Sequence, residues 1–489
     1  MVAMTYRSLF SVLITFLLHV GVSHATEYFV AESGSDGDTG LTRTNEWATI
    51  QYAVDNITTG DTITVLEGTY DGFFINWSGA SNAYNTVRAD AEAQVVINAL
   101  PPVPSHYHKD CYIVVNNQWP WGGHPLGYWR VEGFEVVGSG RHGVLVLGVD
   151  AVSLNDIEIR NNRVHDNFYV GIAVWFVDDA IIENNECYTN GFGNGVGEHG
   201  LYFGNSGDRP VIRGNHLHDN AGSGLHINAD AGAGGDGICS DVLIEENIIH
   251  DNGHIGGSGI NLDGCDGGRV VNNLLYNEHA SGISVFQGNG AVPSRNLLIA
   301  HNTVVLAEDG RWVLNIPTIG STSNRIYNNI LFNLHPTHGS IVLGATNVAG
   351  TVSDNNILMN AFSTDGDSTT IDFDSWQALG YDHHSVIVPP LSGFKNPATS
   401  DYRLLEEAPG VDDGVMLSEV VADILGAPRS RGCHPDIGCY EWGLQGLLMI
   451  VTEAKRELFP WLAPAARVSG QGPAPGSLPA PEASMPAGS

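Results

Sequence analysis

Tyr202, His226 and Asn261 each stand two places after a glycine, Gly200, Gly224 or Gly259. A phenol can donate a proton, an imidazole can take one, and a carboxamide can neutralise a carboxylate; together these groups suit proton transfer beside an acidic substrate. Each glycine opens a short apolar–polar alternation. The residue after it (Ile172, Leu201, Leu225, Ile260, Ile283) points inward, and the alternate positions point out. The outward pairs are Ala173 and Trp175, Tyr202 and Gly204, His226 and Asn228, Asn261 and Asp263, and Ser284 and Phe286. Trp175 and Phe286 offer flat faces on which sugar rings stack. Glu198 and His199 precede the strip, and Asp230, Asp236 and Asp266 follow it in Gly-rich segments. Insertions at 191–199 and 229–240 are placed to wall a groove, since sites accumulate on loops carried by a rigid scaffold.

The element that must position these residues is a repeat. Between residues 152 and 360 an aliphatic residue, two positions, an asparagine, one position and an apolar residue recur eight times. The asparagines are Asn162, Asn185, Asn215, Asn247, Asn273, Asn302, Asn329 and Asn356, 23 to 32 residues apart. The residue three places earlier is Ile or Val every time except at Ser353. Such a period predicts an all-β solenoid that adds one coil per repeat, with strands of successive coils about 4.8 Å apart. Inward-turned amides at coil corners satisfy buried backbone groups, and Asn167, Asn190, Asn220 and Asn252 predict a second corner ladder. His165, His218 and His250 fall three residues after their ladder asparagine, in register with Tyr188 and Tyr276. That spacing predicts surface stacking; a zinc site would need a third close ligand that the spacing does not supply.

Composition sets the boundaries. Arg7 and the apolar run from Leu9 to Val22, followed by Ser23-His24-Ala25, read as a secretory signal peptide over residues 1–25. Residues 26–100 form an N-terminal cap and the first coils, with an amphipathic helical stretch from Trp47 to Asn56. Residues 101–442 are the parallel β-helix, irregular and aromatic-rich up to 151. Residues 443–489 are an extension whose Pro, Ala, Gly and Ser content predicts disorder after about 463. A net charge of −33, from 21 Lys+Arg against 54 Asp+Glu, disfavours nucleic acid and anionic membranes and attracts divalent cations. A secreted monomer is the expectation. Six cysteines in an exported chain predict up to three disulfides. Cys239 and Cys265 should stack on adjacent coils about 4.8 Å apart, inside the Cα range a disulfide tolerates, Cys433 and Cys439 close a small loop near the end, and Cys111 and Cys187 have no assigned partner.

Tyr28-Phe29-Val30 with its Gly-Ser-Asp turn, Trp47-Ala48-Thr49-Ile50-Gln51-Tyr52-Ala53, Gly60-Asp61-Thr62-Ile63 and the closing Asp436-Ile437-Gly438-Cys439-Tyr440-Glu441 resemble bacterial right-handed parallel β-helix proteins. The resemblance, over residues 26 to 442, is to the pectate-lyase-like superfamily, whose fold carries lyases, hydrolases, epimerases and adhesins. It implies a polysaccharide partner, with three chemistries open. In a polyuronate lyase, Asn261 neutralises the sugar carboxylate, His226 takes the proton and Tyr202 donates one. Alternatively Ca²⁺, held by Glu198, Asp230 and Asp263, neutralises that carboxylate. Such relatives use Lys or Arg as base, and this chain has no lysine between Lys109 and Lys395. In a glycoside hydrolase, a carboxylate pair such as Asp230 and Asp263 flanks the bond; Asn261-Leu262-Asp263-Gly264-Cys265-Asp266 is similar to a polygalacturonase-like segment. In the third, the groove binds glycan without cutting it. On every reading Trp175, His199, Asn228 and Phe286 contact the sugar.

Overall fold

The computed structural model describes residues 25–443, apart from 92, 105, 107–108, 118–122, 150–153, 192–197, 346–347 and 430–431. The expected signal peptide and the tail beyond 443 lie outside the described residues.

Each coil contributes one strand to each of three parallel sheets. In one coil these are Ile181–Glu183 in sheet one, Glu186–Tyr188 in sheet two and Leu201–Gly204 in sheet three. The three sheets contain 13, 12 and 11 strands in sequence order, so the molecule is a solenoid of about eleven turns. The inward residues, such as Ile182, Cys187, Leu201 and Phe203, form one continuous apolar core.

The corners explain the asparagines. The residue before each ladder asparagine takes a left-handed conformation: φ is 56° at Asn184, 65° at Gly214 and 57° at Asn272. The chain thereby turns from sheet one to sheet two, and the next side chain swings inward. Asn185 Nδ2 then donates to Asn215 Oδ1 (3.1 Å) and to Ile159 O (2.8 Å). The ladder runs unbroken from Asn162 to Asn356, whose Nδ2 reaches Asp382 Oδ1. The second ladder, Asn167–Asn190–Asn220–Asn252, continues into Glu278, whose Oε1 accepts from Asn252 Nδ2 (3.1 Å). It also explains the glycines that open the sheet-three strands: a Cβ on Gly200 would lie 2.7 Å from Asn220 Nδ2, and one on Gly224 would lie 2.4 Å from Ile249 Cγ2.

Both ends are covered. Thr49 caps the helix Ile50–Asn56, which lies over the first coil. At the other end Ser353, the exception in the repeat, accepts from Asn356 Nδ2 in a buried cluster with Asp382, Ser385 and Trp376. The chain from 394 onward then packs Phe394, Tyr402 and Leu404 onto the outer face of sheet two over Leu274, Val305 and Phe332.

All six cysteines are free thiols in this structure, so the expected disulfides are not formed in it. Cys239 and Cys265 do lie opposite each other, as their register requires. In-register side chains run parallel, however, about 4.8 Å apart, which exceeds the Cβ separation of about 3.8 Å typical of a disulfide. Cys439 is buried and Cys433 exposed.

Candidate functional site

The outer face of sheet three changes character along the solenoid. Toward the N-terminus its outward residues Phe74, Val114, Leu145 and Ala173 are buried in an apolar cluster with Cys111 and Val170. Tyr202 stands at the edge of that cluster. From there the row turns polar, with Tyr202 opposite His226, His226 opposite Asn261 and Asn261 opposite Ser284. The neighbouring row runs Trp175, Gly204, Asn228, Asp263, Phe286. The structure thus brings together Tyr202, His226, Asn261, Trp175, His199, Asn228 and Phe286.

His199 lies behind His226 and fixes its protonation. The Ser223 backbone N–H donates to His199 Nδ1 (3.0 Å), so neutral His199 carries its proton on Nε2. That proton fills the 3.0 Å contact with His226 Nδ1. His226 accepts at Nδ1 and holds its own proton on Nε2. Burial keeps both rings neutral: it lowers the His199 pKa well below the usual range and that of His226 to about 4, against the pull of Asp263. A neutral imidazole with its proton on the outer nitrogen is a hydrogen-bond donor, so His226 does not fit the base role expected from sequence.

Tyr202 packs edge-on against Trp175 and His226, with ring centroids 6.1 and 5.4 Å away. Burial raises its pKa well above the usual phenol value; a hydrogen bond from Asn228 pulls it back, and the charges of Asp230 and Asp263 add to the rise. Asn261 accepts from Ser258 Oγ at Oδ1 (3.4 Å), which leaves its amide hydrogens as donors.

The carboxylates have other work. Asp263 is 2% exposed and accepts the backbone N–H groups of Gly288 (2.8 Å), Asn289 (2.6 Å) and Gly290 (3.1 Å). Asp230 caps a short 3₁₀ turn, Ala231–Ala233, through Gly232 N. The two loops cross-bond, Ala231 N to Asn289 O (3.0 Å) and Ala291 N to Gly237 O (2.8 Å). The insertion at 229–240 is therefore tied to the 288–291 loop, which Asp263 anchors beside the polar row. Residues 192–197 of the other insertion lie outside the described residues. Glu198 is fully buried. Among the described residues Glu198, Asp230 and Asp263 do not converge on a point where an ion could sit. The expected Ca²⁺ site therefore does not form from these three, because Asp263 and Asp230 are spent on loop backbone and Glu198 on the interior.

Among the described residues the convergence of three ligand atoms occurs elsewhere, at Glu186, His216 and His218 on sheet two, within 4.8 Å of one another. Spacing counted from the ladder at +3 found His218 but passed over Glu186 and His216, which stand at +1 on the same outer face.

Residues 127–235 match the family model described as a right handed beta helix region. Among solved structures, pectate lyase Pel9A is 17% identical, with 86% of this chain and 98% of that one covered and a TM-score of 0.57. An alginate lyase from Paenibacillus sp. str. FPU-7 is 21% identical over 60% of this chain and 93% of its own, TM-score 0.46. A rhamnogalacturonan lyase is 15% identical over 63% and 82%, TM-score 0.44. Comparison with curated protein sequences gives no match. The family match and the likeness to the pectate lyase structure establish the fold; the chemistry rests on the strip.

Proposed function

We propose that this right-handed parallel β-helix cleaves an acidic polysaccharide by β-elimination in the sheet-three groove, outside the cytoplasm. The observation that carries the reading is the donor array around one phenol. Asn228 bonds the Tyr202 oxygen, while His226 Nε2–H and the Asn261 amide stand on the next two coils. The donors bind the uronate carboxylate and stabilise the charge that builds on it as the C5 proton leaves. A neutral imidazole suits this electrophilic role, because it gives a hydrogen bond without surrendering its proton to solvent.

Tyr202 is the remaining proton-transfer group in the row. As phenolate, steadied by the Asn228 hydrogen bond, it takes the C5 proton. The electron pair forms the C4–C5 double bond, the C4–O bond breaks, and Tyr202 returns the proton to the departing oxygen. Trp175 and Phe286 hold flanking sugar rings. Hydrolysis is less well supported, since Asp263 is committed to three backbone donors and leaves Asp230 without a partner carboxylate in the strip.

A panel of polyuronates tests the proposal, with ultraviolet absorbance of the unsaturated product and new reducing ends followed in parallel. Elimination gives both signals in equal amounts. Reducing ends without absorbance would replace elimination by hydrolysis, and binding without either signal would leave a glycan-binding protein.

A further inference from the structure

The outer face of sheet two holds a second cluster on the same coils. Tyr188, His218 and His250 stack in register with His165 and Tyr276, with ring centroids 4.5 to 5.0 Å apart, so the stacking expected from sequence is present. Beside the stack Glu186 and His216 pair in register on adjacent strands. Glu186 Oε1 is 3.6 Å from His216 Nδ1 and 3.4 Å from His218 Nε2. Arg163 Nε occupies the other carboxylate oxygen, Oε2, at 3.0 Å.

Proton placement makes this cluster unusual. His218 Nδ1 lies 2.7 Å from Asp219 Oδ2, and His250 Nδ1 lies 2.6 Å from Asp251 Oδ2. A carboxylate only accepts, so both Nδ1 atoms carry hydrogens. A neutral His250 then accepts at Nε2, and the 2.8 Å contact there makes His216 Nε2 the donor. With Nδ1 protonated, His218 offers Nε2 as its ligating atom, and His216 offers Nδ1. Two imidazole nitrogens and one carboxylate oxygen thus lie within 4.8 Å of one another. Such an arrangement can hold a metal ion between them.

We propose that Glu186, His216 and His218 bind a divalent transition-metal ion of the zinc class. Ligand atoms around tetrahedral zinc sit about 2.0–2.1 Å from the ion, and so about 3.3 Å from one another. The 3.4 and 3.6 Å separations are close to that edge, so small side-chain movements admit the ion. Two nitrogens and one oxygen match zinc, nickel or copper; calcium and magnesium prefer an all-oxygen shell. Asp219 and the His250–Asp251 pair supply the outer hydrogen bonds that orient ligating histidines. Three protein ligands leave a fourth position for water or an external ligand. The site is on a different sheet from the groove and stands independently of the elimination chemistry.

The test is a calorimetric Zn²⁺ titration of untagged, EDTA-treated full-length protein, with Co²⁺ absorption as a coordination readout. The expected result is one saturable equivalent and a four-coordinate Co²⁺ spectrum. Both should be lost in His216→Gln and His218→Gln and kept in His338→Gln, which alters a separate histidine pair. Asp219→Asn, which leaves all three ligands in place, should weaken binding about 10–100-fold. Circular dichroism melts establish that each variant folds. No saturable uptake, or uptake that survives His218→Gln unchanged, would overturn the proposal and leave a proton as the cation in the cluster.

Discussion

Two outer faces of the same coils carry histidines in opposite states. On sheet three, His199 delivers its proton to His226 Nδ1, so the outer nitrogen of His226 donates. On sheet two, Asp219 and Asp251 hold protons on the Nδ1 atoms of His218 and His250, and His216 Nδ1 and His218 Nε2 face Glu186. A donor array suits an anionic substrate, whereas an acceptor array suits a cation. The residue behind each imidazole decides the difference: backbone N–H and histidine in one case, carboxylate in the other. Residue type alone does not distinguish them.

Tyr202→Phe should separate the faces most sharply. Polyuronate cleavage should fall by at least about 10³-fold, within the range for loss of a general acid–base group, while Zn²⁺ uptake is unchanged. Loss of both would mean that the faces are coupled. His226→Ala should cost about 10²-fold in kcat, as expected for one lost donor to developing charge, again with metal uptake intact. Gly224→Ala acts on what the faces share. Its Cβ would meet Ile249 Cγ2 at 2.4 Å and Asn252 Nδ2 at 3.1 Å, so chemical denaturation should show a loss of about 1–3 kcal/mol.

The smallest effect concerns Glu278, where the second ladder stops being asparagine. Burial raises its pKa from 4.5 to about 8, against the hydrogen bond from Asn252. The folded protein therefore holds a proton there that the unfolded chain releases between these values. The stability contributed by this proton is complete below pH 4.5 and declines as pH rises toward 8. Glu278→Gln should raise the thermal midpoint above pH 8 and leave it unchanged at acid pH, with both faces still functional.

The fold was legible because the ladder asparagines recur on every coil, and a single spacing carries a register through eight turns. The same ruler aligned Tyr202, His226 and Asn261 correctly, since strand neighbours follow from register alone. It said nothing about what lies behind each side chain. The proton on His226 depends on His199 and the Ser223 backbone, and the role of Asp263 depends on the fold of the loop at 288–290; spacing carries neither a proton position nor a loop fold. Cys239 and Cys265 show a related limit, because register brings two residues abreast without bonding them. Glu186 and His216 were within reach of the ruler, one residue past their ladder asparagines, but they emerge only when both outward positions of the sheet-two strands are counted.

The assignment of Tyr202 rather than His226 as base is the centre of the account, and the pH dependence of kcat/KM for polyuronate elimination tests it most directly. With a phenol held protonated by burial, the rate should climb about tenfold per pH unit through neutral and mildly alkaline conditions, as the phenolate fraction grows. A profile already level at neutral pH, falling only as an imidazole protonates, would return the proton-abstracting role to His226 and contradict the account.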